Sequence, residues 1–95
     1  MELHFDIAAR REIDEAHQWY EAQQSGLGFR YVREVESCSR MIRRFPLVAP
    51  EIASGVRHAL VPRFPYGLLY RIDGETIYVL AVMHLHRRPG YWQGR

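Results

Sequence analysis

The stretch from Phe64 to Trp92 reads FPYGLLYRIDGETIYVLAVMHLHRRPGYW, and it decides the fold of this 95-residue chain. From Leu68 to Ile72 the residues follow the two-residue period of a strand with one buried face. The Asp73-Gly74 pair is a strong hairpin signal, because a type I′ turn needs positive φ at both central positions. Thr76 to Met83 is apolar on both faces. The stretch therefore predicts an antiparallel hairpin whose second strand is central in a sheet.

Two helices are predicted upstream of this hairpin. Apolar residues at helical spacing run from Ala9 to Tyr20, and Ser25-Gly26 ends that helix. A second apolar stripe runs from Leu27 to Phe45 and stops at Pro46, whose ring cannot continue the helical hydrogen bonds. So short a link between two long amphipathic helices predicts an antiparallel helical hairpin.

The remaining segments complete a single α+β domain over residues 1–95. Alternation from Glu2 to Ile7 predicts an N-terminal strand, Leu47 to Gly55 has the composition of a loop, and Val56 to Val61 predicts another strand. The predicted order is β-α-α-β-β-β, with the helical hairpin packed on one face of a mainly antiparallel sheet. We expect burial of that face to involve Phe5, Leu68, Tyr70 and Val79 or their alternate neighbours.

Composition limits the class of protein. Hydrophobic residues make up 47% of the chain and charged residues 25%, as in ordinary globular domains. Cys38 is the only cysteine, so an internal disulfide is excluded and no zinc site is indicated. No apolar run is long enough to span a bilayer. We expect a cytoplasmic protein with no membrane partner, no cofactor and no metal.

The charge of the chain is carried by arginine and is unevenly distributed. All 13 basic residues are arginine, which stays protonated, so any mechanism that requires a lysine is excluded. Residues 1–36 hold eight acids and four arginines, whereas residues 37–95 hold three acids and nine arginines, a net charge of +6. A basic C-terminal portion indicates contact with nucleic acid or with an acidic protein segment. An acidic helical face exposed to solvent would explain the same counts.

Histidine and arginine follow the central strand. Strand alternation places His84 and His86 on one face, with Arg87 on the other if the strand continues. Imidazole can act as a general acid or base near neutral pH, and arginine can neutralise a phosphate. The alternative is a strand end with solvated polar residues. A metal site is not favoured, because two histidines lack a third ligand.

Two further pairs complete the candidate site. Arg57 and Arg71 lie on adjacent predicted strands, where they could share a sheet face and line a basic trough, or could belong to an ordinary exposed face. Tyr91 and Trp92 could stack on a base or a peptide. We favour instead a role in anchoring the tail on the core. The candidate residues for binding a target or partner are Arg57, Arg71, His84, His86, Arg87, Arg88, Tyr91 and Trp92.

A series of short motifs spans nearly the whole chain. In order, they are Ala9-x-x-Glu12, Trp19-Tyr20, Gly26-Leu27-Gly28-x-x-Tyr31, Arg57, Phe64-Pro65-Tyr66 with Tyr70, and Val79-x-Ala81-Val82-x-His84-x-x-Arg87-x-Pro89 with Trp92. Each motif is short, but the ordered series is specific, and it resembles the RelE/ParE superfamily of bacterial toxins. The resemblance implies a toxin of a type II toxin–antitoxin system, with two helices against an antiparallel sheet. It also implies a cognate antitoxin that folds around the toxin.

The superfamily holds two activities, and the resemblance is closer to the ParE-like branch. RelE-like members cleave mRNA in the ribosomal A site, whereas ParE-like members poison DNA gyrase. Gly67 stands at a place where the RelE-like ribonucleases have an arginine in common. This chain also has no lysine, which is one of the residues those members use for cleavage. Arg88 departs from the ParE-like pattern, which commonly has an aspartate there, but this departure concerns only the details of the C-terminal contact. We therefore expect a growth inhibitor that acts on DNA gyrase and is not an enzyme.

Two alternatives remain open. The first is a ribosome-dependent mRNA endoribonuclease, in which the catalytic set would be Arg57, Arg71, His84 and Arg87. The second is a non-toxic nucleic-acid or protein-binding module of the same fold.

Overall fold

Two helices lie on one face of a five-stranded sheet in the structure, a computed structural model that describes residues 1–95. The elements are β1 (Glu2–Phe5), α1 (Ile7–Gln23), α2 (Leu27–Arg44), β2 (Glu51–Ala53), β3 (Val56–Leu60), β4 (Tyr66–Asp73) and β5 (Thr76–His84). The strand order is β1-β5-β4-β3-β2. Only β1 and β5 are parallel; the other three pairs are antiparallel. The α+β class and the mainly antiparallel sheet are confirmed.

The helical hairpin is closed by a carboxylate. The carboxylate of Glu21, near the end of α1, accepts hydrogen bonds from the backbone N–H groups of Gly26 at 2.9 Å and Gly28 at 2.7 Å. Hydrogen bonds from Gly26, Gly28 and neighbouring backbone hold the pKa of the Glu21 carboxyl below its usual value. Gly28 is needed for close approach, because a Cβ there would lie 2.5 Å from the His17 carbonyl oxygen. Neither helix is long and apolar enough to cross a membrane.

The main core lies between the helices and the sheet. Both predicted helical stripes supply it, with buried residues Ala9, Ala16, Tyr31, Val35, Cys38 and Ile42. The sheet supplies Leu68, Tyr70 and Val79, all fully buried, with Phe5 packed against them, as expected. A smaller cluster covers the opposite sheet face, where Trp92 of the C-terminal tail packs on Leu69 and Leu80. The tail therefore seals a face that the helices leave open.

Three predicted boundaries are wrong. Ile7 does not continue β1; it begins α1 and is exposed, because Asp6 caps the helix in an extended conformation. Phe45 lies beyond the end of α2 and is also exposed. The predicted loop from Leu47 to Gly55 contains β2, an edge strand of three residues with an irregular register to β3. So short a strand shows no alternation that the sequence could reveal.

The hairpin between β4 and β5 turns one residue later than predicted. Asp73 pairs with Thr76, so Gly74 and Glu75 are the central residues. Only Gly74 has positive φ, at +61°, which is the pattern of a type II′ turn rather than type I′. β5 is an interior strand as predicted, between β1 and β4, although β4 holds the middle place in the sheet.

Candidate functional site

A cleft of about 230 Å³ opens between α1 and the C-terminal end of β5. Its lining combines two carboxylates from α1 with aromatic and basic groups from the sheet and the tail. The lining residues are Glu12, Glu15, Ala16, Trp19, Tyr66, Val82, His84, Arg87 and Tyr91. Trp19 stands at this cleft with 60% of its surface exposed. We call this region the α1–β5 cleft.

Glu12 ties the walls of the α1–β5 cleft together. Its carboxylate accepts the backbone N–H of Val82 at 2.9 Å, which lies beyond the part of β5 that pairs with β1. It also accepts hydrogen bonds from the Tyr91 hydroxyl at 2.7 Å and from the Arg95 guanidinium at 2.8 Å. One side chain from α1 therefore fixes the edge of β5 and the C-terminal tail.

The tail is held over the cleft by aromatic contacts. The guanidinium of Arg87 lies 4.1 Å from the centroid of the Tyr91 ring, close enough for a cation–π contact. Burial, with the hydrogen bond to Glu12, raises the pKa of Tyr91 above its usual value, so its hydroxyl remains a donor. Trp92 is only 8% exposed and packs in the smaller core cluster. The interpretation of the Tyr91-Trp92 pair as an anchor of the tail is therefore confirmed for Trp92.

The His84 and His86 rings meet edge to face at the rim of the cleft. β5 ends at His84, and the chain turns there with the Arg87 N–H donating to the His84 carbonyl oxygen at 3.0 Å. The His84 ring lies edge-on to Tyr66 and to His86, with centroids 5.1 and 5.2 Å apart. Its Nδ1 accepts the His86 backbone N–H at 3.1 Å, so the nitrogen left to donate into the cleft is Nε2.

The predicted basic trough does not exist. Arg57 pairs with Tyr70 across the sheet and shares the helix-facing side with it, where the Arg57 guanidinium donates to the carbonyl oxygens of Leu47 and Ala49. Arg71 follows Tyr70 in β4 and so points to the opposite face, where it lies beside Leu80. Of the two interpretations, the shared face is therefore the wrong one, because Arg57 pairs with Tyr70 and not with Arg71.

The structure brings some predicted residues together and separates others. His84, Arg87 and Tyr91 line the α1–β5 cleft, and Arg87 is on the same side as His84 because the strand does not continue. His86 and Arg88 are exposed outside the lining, and Trp92 lies on the far sheet face. The four residues proposed for RNA cleavage thus occupy three separate places. Glu12, which appeared only within a motif, is the contact that sequence reasoning missed.

A second missed contact joins Gly67 to His58. A Cβ at Gly67 would lie 2.5 Å from Cδ2 of the His58 ring and closer still to Nε2. The imidazole therefore occupies the space that a side chain at position 67 would need. Its Nε2 is buried without a hydrogen-bond partner, and burial lowers the pKa of His58. The His58 ring can pack in this position only because Gly67 has no side chain.

Other reactive groups are not assembled. No group of three or more His, Cys, Asp or Glu side chains is placed to hold a metal ion. Burial raises the pKa of the Cys38 thiol to about 12, so the only cysteine is protonated and is a poor nucleophile.

Comparisons with known proteins agree with this architecture. The solved structure titled "Chromosomal ParDE TA system from P. aeruginosa" superimposes with a TM-score of 0.67 at 19% identity, covering 88% of this chain and 95% of that one. No curated protein matches the sequence significantly. The family model described as the ParE toxin of the type II toxin–antitoxin system, parDE, matches residues 3–89. The chain therefore belongs to the ParE toxin family of type II toxin–antitoxin systems.

Proposed function

We propose that this toxin inhibits growth by binding DNA gyrase without turning over a substrate, and that a cognate antitoxin neutralises it. The observation that carries the proposal is the α1–β5 cleft, where Arg87 and His84 are presented on a scaffold fixed by Glu12. The cleft offers a cation and exposed aromatic surface, including Trp19. These are the groups that dominate protein–protein recognition.

The separation of the basic residues supports binding over catalysis. General acid–base chemistry needs its groups within hydrogen-bonding reach of one substrate. Arg57 instead bonds backbone carbonyl groups, and Arg71 faces the other side of the sheet. Only His84 and Arg87 of the four could meet the same phosphate.

The packing at Gly67 supports the same conclusion. The RelE-like ribonucleases resemble one another in having an arginine at the corresponding place. In this chain the His58 ring fills the space above Gly67, so a long side chain has no room there. A candidate cleavage site would therefore lack this arginine, and the His58 ring would have to move before a side chain could be placed at position 67.

Inducing the toxin in bacteria separates the candidate functions. We expect growth arrest with DNA damage and loss of supercoiling, and inhibition of purified gyrase by the purified toxin. The protein encoded by the adjacent reading frame should relieve the arrest when co-expressed. Codon-biased mRNA cleavage without DNA damage would indicate the endoribonuclease instead. Unimpeded growth at high expression would indicate a non-toxic module.

Replacing Arg87 with alanine should abolish toxicity and leave folding intact. The Arg87 side chain is exposed and lies over the Tyr91 ring but makes no hydrogen bond or ion pair, so its loss costs little stability. The measurement is growth after induction at equal expression, with thermal unfolding of the purified variant as the folding check. Arg40→Ala, which removes an exposed arginine from α2, serves as the control and should remain toxic. An Arg87→Ala toxin as potent as the parent would show that this arginine is not part of the target surface.

A further inference from the structure

A second pocket lies away from the α1–β5 cleft. It has a volume of about 410 Å³ and sits between the N-terminal half of α2 and the turn that joins β3 to β4. Its lining is Leu27, Arg30, Arg33, Glu34, Arg63 and Phe64. Three arginines and one glutamate give it a net positive charge over an apolar base formed by Leu27 and Phe64.

Two of the three guanidinium groups in this pocket are unpaired. Arg63 lies 3.3 Å from the Glu34 carboxylate and forms the pocket's only ion pair. Arg30 and Arg33 take part in none of the molecule's four ion pairs and in no side-chain hydrogen bond. Lying three residues apart on α2, they are on the same helix face. Two guanidinium groups on one face can hold a carboxylate between them.

The backbone at Arg63 gives a second, independent reason to look for a ligand. Arg63 is the only residue other than glycine with a positive φ, at +65°. A β-carbon is disfavoured in this conformation, and glycine or asparagine would adopt it with less strain. Strained residues concentrate where a side chain must be presented to a ligand. Here the strained residue carries a guanidinium to the mouth of the pocket, where its ion pair with Glu34 is exposed and contributes little.

We propose that this pocket binds an acidic side chain, together with a neighbouring apolar side chain, from the antitoxin; this rests on the proposed partnership. The acidic group would be held by Arg30 and Arg33, and the apolar one would cover Leu27 and Phe64. A single carboxylate fits better than a nucleic-acid strand, because only two guanidinium groups are free beside the apolar base, which is enough for one carboxylate and too few for a run of phosphates. Arg63 neutralises Glu34, which leaves the other two guanidinium groups for the partner.

The test compares matched pairs of substitutions on one helix. Affinity for the protein encoded by the adjacent reading frame is measured for the full-length toxin, for Arg30→Gln with Arg33→Gln, and for Arg40→Gln with Arg44→Gln. All four arginines are exposed, and each pair removes the same charge from α2. We expect the pocket pair to raise the dissociation constant by roughly tenfold or more, and the control pair to change it little. Arg63→Gly should also weaken binding without lowering the melting temperature, since glycine accepts positive φ.

Three results would overturn the inference, and they can be told apart. If the unaltered toxin does not bind the neighbouring protein, the proposed partnership fails and the pocket assignment fails with it. If it binds and the pocket pair behaves as the control pair does, only the pocket assignment is wrong. The third arm measures binding of a short fluorescent single-stranded RNA. Loss of RNA binding in the pocket pair with unchanged binding of the protein would assign the pocket to nucleic acid.

Discussion

Replacing Gly67 with alanine should lower the free energy of unfolding by about 3 kcal/mol, the upper part of the usual range for overpacking a core. The added methyl group would meet the His58 ring, whose Nε2 is buried, so the ring or one of the two strands would have to shift. Gly67 itself is buried in β4, so the strand cannot move outward to relieve the contact. The measurement is the midpoint of urea unfolding for the two purified proteins.

A double-mutant cycle identifies the cause of that loss. In a His58→Ala background the added methyl group meets no ring, so Gly67→Ala should cost little there. The coupling between the two substitutions should account for most of the loss. An unchanged unfolding midpoint in the single variant, or equal losses in both backgrounds, would contradict the packing described for His58.

Replacing Glu12 with alanine should cost about 2–4 kcal/mol and release the C-terminal tail. The substitution leaves the Val82 N–H and the Tyr91 hydroxyl without their acceptor, and it removes the ion pair of Arg95. The tail keeps Trp92 buried, so its release should expose the indole. The expected signal is a red-shifted tryptophan emission that acrylamide quenches more readily, together with a lower unfolding midpoint.

Two further substitutions make this result specific. Trp19 is exposed and would mask the change, so the comparison is made in a Trp19→Phe background where Trp92 alone reports. Glu15→Ala removes the neighbouring carboxylate of the α1–β5 cleft, which makes no hydrogen bond or ion pair, and should leave both emission and stability nearly unchanged. If Glu12→Ala and Glu15→Ala behave alike, Glu12 does not hold the tail.

Most of the fold could be predicted because its signals are local. The apolar stripes of α1 and α2 and the period of β4 each lie within one element, so spacing alone predicts them. The mispredicted features depend on how two strands pair and not on a period within one strand. β2 exists only because β3 offers it an edge, and the turn at Gly74 is set by the pairing of Asp73 with Thr76.

The candidate site could be predicted only in part, for the same reason. His84 and Arg87 were found because they follow a strong strand signal. Whether Arg57 and Arg71 share a face depends on which residue of β3 pairs with Tyr70, and a shift of one residue reverses the answer. Glu12 acts on residues about seventy or more positions away, and His58 acts on a residue across a strand pair. No local pattern encodes either contact.

The parallel pairing of β1 with β5 controls when the protein can fold during synthesis. Glu2 meets Thr76, so the first strand has no partner until the last one has been made. Such long-range pairing is slow, because the intervening loop must close before the contact is gained. The helical hairpin can form early, since its contacts are local, but the α1–β5 cleft needs residues from both ends of the chain. The surface that we propose for target binding can therefore form only after translation has passed Tyr91.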